Sequence, residues 1–135
     1  MKEITIDAKV KNLDTVLGMV RDLMEEEGCS IRLQMQVEVA VEEIYVNIAH
    51  YAYEGKTGKA TVRAEIKKDP KTLEVTFIDS GIPFDPLAKE DPDVNLKAQD
   101  RSIGGLGIYM VKQSMDDVRY ERKEDRNILI LIKNL

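Results

Sequence analysis

The chain has 135 residues, 43% of them hydrophobic and 33% charged, a balance that suits one folded domain and excludes the composition of disorder. Its 20 lysines and arginines against 25 aspartates and glutamates give a net charge of −5, so the basic footprint of a nucleic-acid binder is missing. One cysteine, Cys29, allows no internal disulfide, and with one histidine, His50, it cannot build a structural zinc site.

In chain order, a short strand is expected over Glu3–Ala8, with Ile4 and Ile6 on one face. Asn12 is placed to cap a first helix, whose apolar positions are Leu13, Val16, Leu17, Val20, Leu23 and Met24. Gly28 suits the left-handed residue that ends it, and Ser30 suits the cap of a second helix over roughly residues 31–52. The apolar stripe of that helix is Leu33, Val37, Val41, Ile44, Ile48 and Tyr51. The period then drops to two. Ala60, Val62, Ala64 and Ile66 alternate with polar residues, and Leu73, Val75 and Phe77 do the same beyond an Asp69-Pro70-Lys71 turn. These two strands are expected to form an antiparallel hairpin.

From Asp79 to Arg101 the periodicity stops, in a stretch with three prolines and many charges. Loops of this length in compact domains are often functional. Gly104-Gly105-Leu106-Gly107 then opens a third helix, which runs to about Met115. Two strands, Asp117–Glu121 and Asn127–Lys133, are turned by Lys123–Arg126. The apolar run Ile128–Ile132 predicts an inner strand covered on both faces. The order β-α-α-β-β-loop-α-β-β implies a single α+β domain over 1–135, a two-layer sandwich of a mostly antiparallel sheet with helices on one face.

Three groups of residues could carry chemistry. Glu43 and Asn47 are one helical turn apart, about 40° around the axis, at the edge of the apolar stripe. A carboxylate and an amide so placed suit a hard cation such as Mg²⁺ with a base beside it; they also suit a solvated helix flank. Asp79-Ser80-Gly81 ends a buried strand, with Asp79 on the face of Phe77. Its carboxylate can accept from an exocyclic amine and Gly81 permits close approach to a flat ring, although an Asp-Ser-Gly turn also reads as a plain turn. The glycine-rich helix start suits an anion, or a hinge. It is neither a Walker A loop nor a dinucleotide fingerprint. His50 reads as structural or solvated, and Tyr51 and Tyr53 as packing residues or the wall of a base pocket.

Taken together, the three groups resemble the Bergerat-fold ATP-binding domain of the GHKL superfamily. Glu43-x-x-x-Asn47 resembles the N box, Asp79-x-Gly81-x-Pro83-Phe84 the G1 box, and Gly105-x-Gly107 the G2 box, with Asp85–Ile103 as a lid between them. Within that superfamily the segments Glu43–Tyr53, Asp79–Pro86 and Gly105–Val111 resemble the anti-sigma factor serine-protein kinases of bacterial partner-switching systems. The chain length also matches that group. It sets the expectation of a domain without the phosphoacceptor hairpin of histidine kinases or the transducer domain of gyrase.

The resemblance implies an ATP- and Mg²⁺-dependent protein-serine kinase that phosphorylates a small anti-sigma-factor antagonist and sequesters a sigma factor, as a homodimer. A switch of the same fold that binds ATP without transfer is the alternative, and a domain that binds no nucleotide is a third. By position, Asn47 becomes the Mg²⁺ ligand, Glu43 the base, Asp79 the adenine acceptor and Gly81 the residue that makes room for the ring. Gly104, Gly105 and Gly107 become phosphate ligands, and Arg101 a candidate for stabilising γ-phosphate charge. The superfamily's late-strand threonine near adenine has no counterpart, since no threonine follows Thr76; Asn127 occupies that region. With no run of 18 apolar residues and no apolar signal core after Met1, no membrane contact and a cytoplasmic location are expected.

Overall fold

The computed structural model describes residues 1–88 and 105–135. The elements run β1 (Lys2–Asp7), α1 (Leu13–Glu26), α2 (Ile31–Asn47), β2 (Lys59–Lys67), β3 (Thr72–Asp79), α3 (Gly105–Ser114), β4 (Asp117–Lys123) and β5 (Arg126–Asn134). The strands form one antiparallel sheet in the order β1-β2-β3-β5-β4. The helices cover one face, and α2 packs against both α1 and α3. The expected α+β two-layer architecture is the one observed.

Local chemistry sets the boundaries. Gly28 takes a φ of +71° just past α1. Its N–H donates to the Glu25 carbonyl, and the Cys29 N–H donates to the Met24 carbonyl, so two orphan acceptors of the last turn are satisfied. Ser30 caps α2 by accepting from the Leu33 N–H at 3.2 Å. Asn12 stands at the start of α1 but does not cap it with its side chain. A 3₁₀ turn over Val10–Asn12 precedes the helix, and the Asn12 amide donates to the Asp7 carbonyl at 2.9 Å.

The core lies between the sheet and the helices. Val16, Val20 and Met24 of α1 meet Val37, Val41 and Tyr45 of α2, over Val62, Leu73, Val75, Phe77 and Leu131 of the sheet. Tyr45 is missing from the expected stripe, yet it is fully buried. Its hydroxyl meets the Lys9 carbonyl at 2.8 Å and the Lys9 N–H at 3.2 Å, which makes burial of the ring tolerable. Tyr51 is 55% exposed rather than part of the core stripe. The reason is that α2 changes its winding: Ile48–Ala52 is a π turn, so positions beyond Asn47 no longer continue the 3.6-residue register.

One expectation fails in part. β5 is an inner strand, between β3 and β4, but only one of its faces is covered. Leu129 and Leu131 are buried under the helices, while Ile128, Ile130 and Ile132 are half-buried on the opposite face beside Ile78. An apolar run does not distinguish a strand covered by its own chain on both sides from one with an open apolar face.

Candidate functional site

The end of α2 and the end of β3 meet over the sheet. They border an open cleft whose lining includes Asn47, Tyr51, Phe77, Asp79, Tyr120 and Asn127. The π turn contributes Ile48, Tyr51 and Ala52 to its wall. The Ala52 carbonyl accepts from the Ile82 N–H at 2.8 Å, tying the end of α2 to the chain beyond β3. Such turns concentrate at functional sites.

Asp79 and Asn127 are register partners on β3 and β5, and their side chains are 5% and 6% exposed. Asp79 Oδ1 accepts from the Gly81 N–H and from Asn127 Nδ2, both at 2.9 Å. Among the described residues no buried side-chain oxygen lacks a partner, so Oδ2, which takes no bond, faces the open space of the cleft. A carboxylate oxygen at the end of a mostly apolar slot can accept one hydrogen bond from a flat ligand. Arg122 donates to the Gly81 carbonyl at 2.8 Å and brings a cation to the rim.

Gly81 is buried, and a Cβ there would lie 2.2 Å from the Ala52 carbonyl oxygen. The close approach that requires glycine is therefore to the chain's own π turn, not to open space kept for a ring. Gly107, in the first turn of α3, stands in a similar relation to Glu43. A Cβ on Gly107 would be 2.0 Å from Glu43 Oε1. The carboxylate thus rests against the start of α3, where helix N–H groups and the dipole favour negative charge. Asn47 makes no side-chain bond at the end of α2 and lines the cleft.

The structure thus joins Asn47 to Asp79 across one cleft and Glu43 to Gly107 one turn away. Gly105 begins α3. Arg101, Gly104 and most of the expected lid lie outside the described residues; its start, Pro86–Ala88, is a 3₁₀ turn. His50 is exposed and its ring is 6.0 Å from that of Tyr51. Tyr53 belongs to packing: its ring lies against Gly58, and its hydroxyl accepts from the Ser80 N–H at 2.9 Å. Burial pushes the Tyr53 hydroxyl above its usual range. Tyr120 and Arg122 had no sequence signal, since a β strand of alternating charges carries no motif.

The residues present are compatible with a Mg²⁺–nucleotide. Among the described residues no three His, Cys, Asp or Glu side chains form a metal cluster. Mg²⁺ in nucleotide sites is held by one or two protein oxygens together with phosphates, so the uncommitted Asn47 amide and the nearby Glu43 fit that role. No helix among the described residues is long and apolar enough to cross a membrane.

The family model for the histidine kinase-like ATPase domain matches residues 6–133. A serine-protein kinase RsbW from Listeria monocytogenes is 31% identical over 135 residues, covering 95% of this chain and 85% of that protein. An RsbW from Bacillus cereus is 29% identical over 132 residues, covering 95% and 81%. An anti-sigma F factor from Clostridium acetobutylicum is 28% identical over 131 residues, covering 97% and 90%. Among solved structures, the RsbU and RsbW domains of a Mycobacterium tuberculosis protein superpose with a TM-score of 0.66 at 16% identity, over all of this chain and 33% of that one. The catalytic domain of the histidine kinase ThkA superposes at 0.52, over 99% and 98%, with 16% identity.

Proposed function

The chain belongs to the histidine kinase-like ATPase domain family, with serine-protein kinases and anti-sigma factors among its relatives, and from this premise we propose that it is an anti-sigma factor that transfers phosphate from ATP to a serine of a small antagonist protein. The observation that carries the reading is the placement of a buried carboxylate and an uncommitted amide on one cleft, with a second carboxylate one helical turn away. Asp79 sits at one end of a cleft, Asn47 lines it, and Glu43 rests against the start of α3.

Each residue would do a defined job. Asp79 Oδ2 would accept from the exocyclic amine of adenine. Asn47 would hold Mg²⁺, which supplies charge neutralisation to the phosphates. The N–H groups of Gly105 and Gly107 at the start of α3 would bind phosphate oxygens, with Gly104 and Arg101 assigned there by sequence. Glu43 would take the proton of the incoming serine hydroxyl as its oxygen bonds to the γ-phosphorus and the bond to the β-phosphate oxygen breaks, releasing ADP. Such transfer depends on positioning and charge more than on covalent chemistry.

The same relatives support a sigma factor and the antagonist as competing partners. A homodimer would use the open sheet face. Its centre is Ile78, Ile128, Ile130 and Ile132; around them lie Glu3, Glu65, Glu74, Asp117 and Glu121 as well as Arg63, Lys67 and Arg119. Among these the acidic residues outnumber the basic ones, so the isoleucine centre rather than charge would carry the contact.

The deciding experiment is incubation of the chain with labelled ATP, Mg²⁺ and the candidate antagonist. Phosphoserine on the antagonist is the expected result. Glu43→Gln should bind nucleotide as before and transfer about 10²–10⁴-fold more slowly, the usual worth of a general base. Nucleotide binding with no phosphoserine in the parent protein would favour the alternative, an ATP-gated binding switch.

A further inference from the structure

We propose that Asn127 is the residue that gives the cleft its preference for adenine, by holding Asp79 in place rather than by touching the base. The proposal rests on the nucleotide reading of the cleft and goes beyond it, because the late-strand position is where this chain departs from the residue type its resemblance leads one to expect.

An asparagine amide can donate two hydrogen bonds and accept two. At Asn127 all four are used within the protein. Nδ2 donates to Asp79 Oδ1 at 2.9 Å and to the Ile82 carbonyl at 2.8 Å. Oδ1 accepts from the Tyr120 hydroxyl at 2.5 Å and from the Phe84 N–H at 3.3 Å. These partners fix which end of the amide is which, since a flip would set oxygen against two carbonyl or carboxylate acceptors and nitrogen against the Phe84 N–H. A saturated amide has nothing left for a ligand. Threonine, with one hydroxyl donor, could not serve both Asp79 and Ile82.

The consequence falls on Asp79. Asn127 and the Gly81 N–H together occupy Oδ1 and hold the carboxylate in one orientation. Oδ2 is left as a lone acceptor aimed into the cleft. A fixed acceptor suits a 6-amino purine and disfavours a 6-oxo purine, whose own acceptor would face it. Without Asn127 the carboxylate can rotate, and a rotated carboxylate loses that discrimination. Asn127 is therefore a positioning residue, and Tyr120, through its hydroxyl, supports it.

The test compares ADP, GDP and tripolyphosphate by titration calorimetry on the full chain. The three probes separate the base end from the phosphate end. Asn127→Ala should weaken ADP roughly tenfold to a hundredfold, the worth of one buried bond to a charged group, with GDP and tripolyphosphate changed less than about twofold. The ADP-to-GDP ratio falls by the same factor. Tyr120→Phe leaves the ring and removes one bond to Asn127, so it should lower that ratio several-fold even if Asn127→Ala fails to fold. Equal weakening of all three probes, or an unchanged ratio in the variants, overturns the proposal. A parent protein that binds ADP no more tightly than tripolyphosphate would instead overturn the assignment of Asp79 to adenine, and this inference with it.

Discussion

At Gly107 the whole effect of a methyl group falls on the tip of one side chain. The atom nearest a new Cβ is Glu43 Oε1, at 2.0 Å, and the next nearest are other carboxylate atoms of Glu43, not backbone. Gly107→Ala should therefore leave the fold intact; alanine in a helix is favoured over glycine by about 1 kcal/mol. It should nevertheless displace the carboxylate. The expected outcome is an unchanged or raised melting temperature with phosphotransfer slowed, and little further slowing when Glu43→Gln is added. A double-mutant cycle measures this, and full additivity would separate the two residues. Glu43, Asn47 and Asp79 were all legible in the sequence, because spacing on one helix and parity on one strand decide which way they point. The true neighbour of Gly81 was not legible. It is a carbonyl 29 positions earlier, and only the path of the chain brings it there. Asn127 showed only as a departure from a pattern, because its four partners come from three separate segments.

The element that sequence periodicity misread is the end of α2. Ile48-Ala-His-Tyr-Ala52 continues a plausible helical stripe, and nothing local marks the switch to a π turn. The switch is set by tertiary partners: the Ala52 carbonyl is claimed by Ile82, and Tyr53 by Ser80. By contrast, the β4–β5 hairpin was legible, with its turn expected over Lys123–Arg126, and the observed strands leave two residues between them. Those residues, Glu124 and Asp125, have φ of +53° and +61°. A two-residue hairpin with both φ positive prefers Asn-Gly, because the left-handed region is costly for a side chain. Asp125→Gly is expected to stabilise the protein by about 0.5 kcal/mol, after the greater flexibility of glycine in the unfolded chain offsets part of the relief. Chemical denaturation reads this as a higher midpoint at constant slope; a lower midpoint would mean that Asp125 makes a compensating interaction in the hairpin.

For the whole molecule, the fold class and the layer arrangement followed from element order, and the comparisons agree with it. The open isoleucine face did not follow, since the same apolar run fits a covered strand. If two copies meet there, Ile130→Glu should yield monomers at concentrations where the parent protein is dimeric. ADP affinity should be unchanged, because Ile130 faces away from the cleft. Analytical ultracentrifugation with and without the substitution decides it, and a dimer that survives the substitution places the contact elsewhere.

The sheet order has a consequence for synthesis. β5 is made after the other four strands, yet it is inserted between two of them, and it carries Asn127. On the ribosome, the earlier strands can pair as β1-β2-β3, but β3 keeps an unpaired edge and β4 has no neighbour until β5 emerges. The base end of the cleft is therefore assembled last. A prematurely terminated chain lacking β5 would have Glu43, Asn47 and Asp79 but no support for the carboxylate and a bare strand edge beside it. Such an edge invites pairing with other chains.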